Sequence, residues 1–182
     1  DADETFFPLD TPVLITRINS VIGLAGKTGT LYKTLKAISD QCSPKIIAIR
    51  VADAANLTPN ETGKVKTQDQ LVIGGTCEDG RYTGLYALLT AKVKVDEQAR
   101  IIIAPWLDTK PVAQQMAIFA EKLRAFTYVS AFGCTSIAEA KKYREDFSQR
   151  EVMVIYPDWI GYNKETGENE IIAASAIAAG LR

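Results

Sequence analysis

Three aspartates are the residues of this sequence best placed to do chemistry. Asp53, Asp108 and Asp158 each follow an apolar, mostly β-branched run by a few residues. If those runs are strands of one parallel sheet, the three carboxylates share its carboxyl edge, where open α/β folds bind their ligands, and their oxygens suit Mg²⁺. The chain would then be an α/β enzyme or a ligand-binding module. The competing reading is plainer: Asp after a strand is the ordinary cap or turn residue of a strand-to-helix connection. No Lys, Ser or Thr recurs beside the three at a telling spacing.

Gly26-Lys27-Thr28 echoes the end of a phosphate-binding P-loop and follows the short apolar run Val13-Leu14-Ile15. A P-loop also needs Gly five residues before the Gly-Lys pair, so that backbone amides can wrap the phosphates, and that position is Val21. Gly26 and Gly29 are therefore read as the break between two helices. Trp106, Trp159 and Tyr162 beside strand ends offer a platform for a sugar or a base, but aromatics there more often pack under loops or fill a subunit interface. The sequence has no histidine, which removes the commonest general base and metal ligand together. Cys42, Cys77 and Cys134 are far apart and form no Cys-x-x-Cys pair, so neither a disulfide scaffold nor a zinc site is indicated. No catalytic, cofactor-binding or metal-binding residue is assigned.

The elements that would position these residues are legible as apolar runs. Lys45–Val51, Arg100–Ala104, Tyr128–Phe132 and Val152–Tyr156 have the length and near-continuous hydrophobicity of strands covered on both faces, and Val13–Ile15 is a shorter fifth. Between them Val112, Met116, Phe119, Leu123 and Phe126 fall on one helical face, with Asp108 or Thr109 as cap and Pro111 in the first turn. Ser136 and Glu139 have capping-box spacing and open a helix to about Phe147. Further helices are predicted at about Arg17 to Ala25, Thr30 to Asp40 and Thr83 to Lys92, the last capped by Thr83 with Leu85, Leu88 and Leu89 inward. This alternation predicts a single α/β domain over residues 1–182, with a largely parallel central sheet and helices on both faces. Residues 52–70, polar and containing Pro59 and Gly63, are read as one long loop.

The 182 residues are 47% hydrophobic and 24% charged, ordinary globular usage. With 21 Lys and Arg against 22 Asp and Glu, no net field draws the chain to nucleic acid. No apolar run approaches the roughly 18–20 residues of a membrane span. The mixed charges of Glu139 to Asp146 read as a solvated helix face with i,i+4 pairs, or as a face that meets a neighbour's charges. The chain begins without Met and stops at Arg182 within the apolar stretch from Ile171, which reads as a fragment of a longer protein with thiols kept reduced in a cytoplasm.

Longer stretches carry a family likeness. Lys122-Leu123-Arg124-Ala125-Phe126-Thr127-Tyr128-Val129-Ser130-Ala131-Phe132-Gly133-Cys134, then Tyr143-Arg144 and Phe147-Ser148-Gln149-Arg150-Glu151-Val152-Met153-Val154-Ile155-Tyr156-Pro157-Asp158, resemble the contractile tail sheath proteins of myophages and R-type pyocins. Tyr82-Thr83-Gly84-Leu85 and Ile103-Ala104-Pro105-Trp106-Leu107-Asp108-Thr109 add to it, so the resemblance covers about residues 75–160, and more loosely the region from Pro12. It implies a structural subunit that stacks in helical rings around a tail tube protein and contracts to drive the tube through a bacterial envelope. No cofactor is involved, and the partners are neighbouring sheath subunits, linked by terminal arms that add strands to each other's sheets. The implied location is the virion tail, assembled in the bacterial cytoplasm. The arms and the C-terminal sheath domain are expected to lie outside this chain. Two classes thus stand side by side: a sheath building block, and an enzyme or binding module using Asp53, Asp108 and Asp158 with Mg²⁺.

Overall fold

The computed structural model of the chain describes residues 2–27, 29–58, 66–163 and 167–181. Two short branched runs, Pro12–Ile15 (β1) and Ile46–Ile49 (β2), pair antiparallel with Val13 opposite Ala48 and Leu14 opposite Ile47. Between them come Ile18–Val21 (α1), a 3-10 turn at Ile22–Ala25, and Thr30–Ser39 (α2). A single crossover helix would return the chain parallel to its first strand, whereas two helical segments reverse it once more and bring β2 back antiparallel. The strand expected at Lys45–Val51 is therefore present but stands outside the parallel sheet. Phe7, Ile15, Ile18, Leu35 and Ile38 form the core of this unit.

The 52–70 region holds more structure than a loop reading allows. Asp53 caps a 3-10 turn at Ala54–Asn56, and Gln68–Ile73 is a helix (α3). Its start is a closed capping box: Thr67 Oγ1 accepts from the Gln70 amide at 3.3 Å, and Gln70 Oε1 accepts from the Thr67 amide at 3.1 Å. Pro59 and Gly63 lie outside the described residues. Gly75–Thr76 (β3) and Tyr82–Thr83 (β4) make a small hairpin, followed by a 3-10 helix at Gly84–Thr90 and Ala91–Val95 (α4). Thr83 spends its hydroxyl on Gly75, accepting its N–H at 3.1 Å, and does not cap the helix after it. Gly74 and Gly84 interlock here at φ +68° and +56°. A Cβ on Gly74 would lie 1.9 Å from the Thr83 carbonyl oxygen, and one on Gly84 2.4 Å from that of Val72.

The parallel sheet expected at the centre is present in three strands, Ile101–Ile102 (β5), Phe126–Ser130 (β6) and Val152–Ile155 (β7), in that order. They are joined by Lys110–Leu123 (α5) and Ile137–Glu145 (α6). Successive strand residues face opposite sides. Burial of every residue from Thr127 to Ser130 thus shows that β6 is covered on both faces. Val112, Met116 and Phe119 of α5 pack there with Val129 and Val152, giving the chain its second and larger core.

Two predicted caps differ in detail. Thr109 is the N-cap residue of α5 but makes no side-chain cap bond, and Asp108, the other candidate, turns inward to the Ser130 amide. Ser136 caps α6, while Glu139 reaches back to Thr135 at 2.7 Å and leaves the box unclosed.

Beyond β7 the chain forms an antiparallel hairpin, Trp159–Asn163 (β8) with Glu168–Ile172 (β9), and then Ala174–Leu181 (α7). Helix α7 is small-residued and mostly buried, and it packs on α2 and β6. At Gly180 an added Cβ would come within 3.1 Å of Gln41. The Cys42 thiol lies 2.8 Å from the Gly180 carbonyl and donates to it.

Candidate assembly surface

Each of the three aspartates is occupied by a backbone amide. Asp53 Oδ1 accepts from Ala55 N–H at 2.9 Å, Asp158 Oδ1 from Ala174 N–H at 3.0 Å, and Asp108 Oδ2 from Ser130 N–H at 2.6 Å. Asp108 and Asp158 come into electrostatic range of each other, and the Asp158 charge adds to the burial that pushes the Asp108 carboxyl up, against the donation from Ser130. Asp53 is elsewhere, because it follows β2, and β2 is not in the parallel sheet. The premise of a shared edge fails at that strand. Among the described residues no three of His, Cys, Asp or Glu come together to hold a metal ion.

The glycines at the apparent P-loop do what helix breaks require. Gly26 ends the 3-10 turn with φ 80°, and Gly29 is the N-cap residue of α2, while Thr28 lies outside the described residues. Trp106 is half-buried, with the Lys33 ammonium 5.9 Å from its ring centroid. The charge run of α6 does not form a simple ladder. Arg144 donates to the Phe147 carbonyl at 2.5 Å, and Asp146 pairs with Lys110 at 2.6 Å.

What the surface does present is an apolar hairpin face. In the register of β8 with β9, Ile160 lies opposite Ile171 and Tyr162 opposite Asn169, all on one side. Ile160, Tyr162 and Ile171 are 76%, 65% and 68% exposed. The other side is anchored: Ile172 packs against Ala37, Ala176 and Ile177, and lies so close across Gly161 that a Cβ there would meet it at 2.4 Å. A two-stranded hairpin is marginal by itself, and this one is held from below, with no third strand paired to it among the described residues. Contiguous exposed apolar side chains beside polar ones mark interaction sites, and here Asn169 is the polar residue that shares the face with Ile160, Tyr162 and Ile171, while Glu168 and Glu170 alternate to the opposite side. The sequence reading left Trp159 and Tyr162 either packed under loops or at a subunit interface and did not single out Ile160 or Ile171. Alternation over only five residues, next to an apolar stretch, gave a weak strand signal.

The comparison with known proteins decides the kinship. Over all 182 residues the chain is 57% identical to the major tail sheath protein of Serratia phage KSP20 and 46% identical to the tail sheath protein of Escherichia phage P2, covering 45% and 46% of those proteins. The chain is similar along its whole length to phage tail sheath proteins. A prophage member of this sheath group, the putative major tail sheath protein of Pseudomonas aeruginosa strain UCBPP-PA14, is 31% identical over 173 residues, which are 94% of this chain and 42% of that protein. The chain thus spans a little under half the length of the sheath proteins it matches. Residues 1–51 also match the family described as tail sheath protein Gp18 domain III N-terminal region. Those residues carry β1, α1, α2 and β2, the unit with its own core, where the motif likeness was loosest.

Proposed function

We propose that this chain is one α/β building block of a longer contractile tail sheath subunit. In this reading the subunit stacks with its neighbours in helical rings around a tail tube protein and shortens to drive the tube through a bacterial envelope. It belongs to the virion tail and is assembled in the bacterial cytoplasm. The observation that carries the proposal is identity along the whole chain with proteins named as tail sheath proteins, 57% in the nearer of the two phage relatives. The geometry fits a part that works by contacts: Asp53 and Asp158 accept backbone amides at helical turns, Asp108 is buried against β6, and the hairpin face of Ile160, Tyr162 and Ile171 is exposed. Contraction then amounts to a change between two packings of rigid parts, which needs no bound cofactor.

Electron microscopy of a full-length subunit carrying this segment tests the proposal. Tubes or contracted cylinders of regular helical symmetry are expected. A protein that stays as a discrete closed dimer at all concentrations would overturn it.

A further inference from the structure

The segment from Ile102 to Asp108 joins the two cores. Ile102, Ala104 and Leu107 pack on the core around α5, whereas Ile103 packs on the core of the first unit and Lys33 of α2 stands over Trp106. The segment turns sharply, with Leu107 N–H on the Ala104 carbonyl at 2.9 Å and Trp106 at φ 62°, a left-handed conformation unusual for a bulky residue. What ties its far end to the sheet is Asp108, fully buried, through Oδ2 and the Ser130 amide.

The other carboxylate oxygen of Asp108 is buried without a hydrogen-bond partner among the described residues, as are the hydroxyls of Thr109, Ser130 and Tyr143. Among the described residues no cation answers its charge. Lys110, two residues on, pairs with Asp146. From the β7–β8 connection the facing charge is Asp158, and from α6 it is the Tyr143 phenol, itself near Cys134 and Asp146. From β6 comes Ser130, with its amide and hydroxyl. Burial outweighs the donors that favour the charged form, Ser130 and the amide of Asp108 itself, and with a second acid nearby and no positive partner among the described residues the carboxylate is poorly compensated. The neutral acid fits the same space without that penalty.

We propose that Asp108 is a proton-controlled latch: in its neutral form it holds the Ile102–Asp108 segment on β6, and on ionisation it loosens this joint between the two cores. The sign follows from linkage. Burial raises the folded-state pKa of Asp108, so the folded state keeps the proton to higher pH than the unfolded chain does. Its contribution is whole below the unfolded value and is lost as pH rises through the folded one. That is opposite to an exposed carboxylate held by donors.

The test is a carboxyl ¹³C NMR titration of the folded chain, with amide exchange at Leu107 and Ser130 read over the same pH range. Asp108 is expected to titrate above the other aspartates. The protection of Ser130 should fall with that titration by at most about tenfold per pH unit, while protection at Leu35 stays level. An Asp108 signal that titrates with the exposed carboxyls, or protection that does not move with it, overturns the latch. Asp108→Asn keeps an acceptor for the Ser130 amide and removes the charge. Its stability relative to the native chain should improve as pH rises through the titration, and a pH-independent difference would also count against the proposal. Should that variant not fold, the titration of the native chain decides alone.

Discussion

Replacing Ile160 with lysine separates folding from assembly. Ile160 is 76% exposed, and Ile171 directly across the hairpin is 68% exposed. In the isolated chain neither is supported by burial, so Ile160→Lys should change stability by less than about 1 kcal/mol, the span of strand preferences. In a sheath where a neighbour covers this face, the account is different. Burying a whole isoleucine side chain is worth about 1.5–3 kcal/mol, so covering the exposed three-quarters of Ile160 contributes about 1–2 kcal/mol. The lysine forfeits that and brings an ammonium group into the covered face, which takes the loss to on the order of 2 kcal/mol or more. At about 1.4 kcal/mol per decade, each contact weakens roughly thirtyfold. The assay is sedimentation of a full-length subunit carrying the segment, measured as the lowest concentration at which polymer forms, with urea unfolding as a control on the fold. A native unfolding midpoint and a threshold raised by tenfold or more are expected. A threshold within roughly twofold of the native one, with the fold intact, would refute the assignment of this face to assembly.

Three more expectations concern the fold and its titration. Gly84→Ala puts a Cβ 2.4 Å from the Val72 carbonyl oxygen at φ +56°. It should cost on the order of 3 kcal/mol, of which about 1–2 is the left-handed penalty, and lower the urea midpoint by more than 1 M at an m-value of about 2 kcal/mol/M. Thr67→Ala opens the capping box of α3 and should cost about 1 kcal/mol in the same measurement, with Thr67→Ser recovering most of it. Burial pushes the Tyr143 phenol up to about 12 from the ordinary phenol value of 10.0. In an alkaline absorbance titration it should be among the last tyrosines to ionise. The sign is that of an acid with a raised folded pKa, so its contribution to stability is lost as pH climbs from about 10 to about 12. Tyr143→Phe should remove that part of the pH dependence.

The sequence located strands well where branched runs were bounded by polar residues, and all five expected strands are present. It misjudged how one of them pairs. Direction depends on how many helical segments intervene, and although the sequence marks both, at about Arg17 to Ala25 and Thr30 to Asp40, the alternation of elements alone does not say how β2 pairs. The same misjudgement produced the supposed carboxylate edge, since Asp53 inherits its place from β2. Helix α3 was hidden by polar composition although Thr67 and Gln70 spell its cap at the right spacing. Helix α7 was hidden for the opposite reason: a run of alanines with almost every position buried has no polar face to mark a period. The hairpin face could be seen only once the register set Ile160 against Ile171. The role of Asp108 was out of reach of any pattern, because a cap and a buried carboxyl are written with the same residue in the same place.

The packing of α7 on α2 sets a clock on the ribosome. The Cys42 thiol and the Gly180 carbonyl that meet there are 138 residues apart in sequence, and Ala37 of α2 is buried against Ala176 and Ile177. At a synthesis rate of about 5–20 residues per second, this face of α2 waits roughly 7–28 s for its partner to be made. During that interval the first unit can gather its own core around Leu35 and Ile38, but its alanine face stays wet. A nascent chain stalled before Ala174 should therefore show a protected β1–β2 pair and an α2 still open to exchange on one side, and the emergence of α7 should close it in a single step.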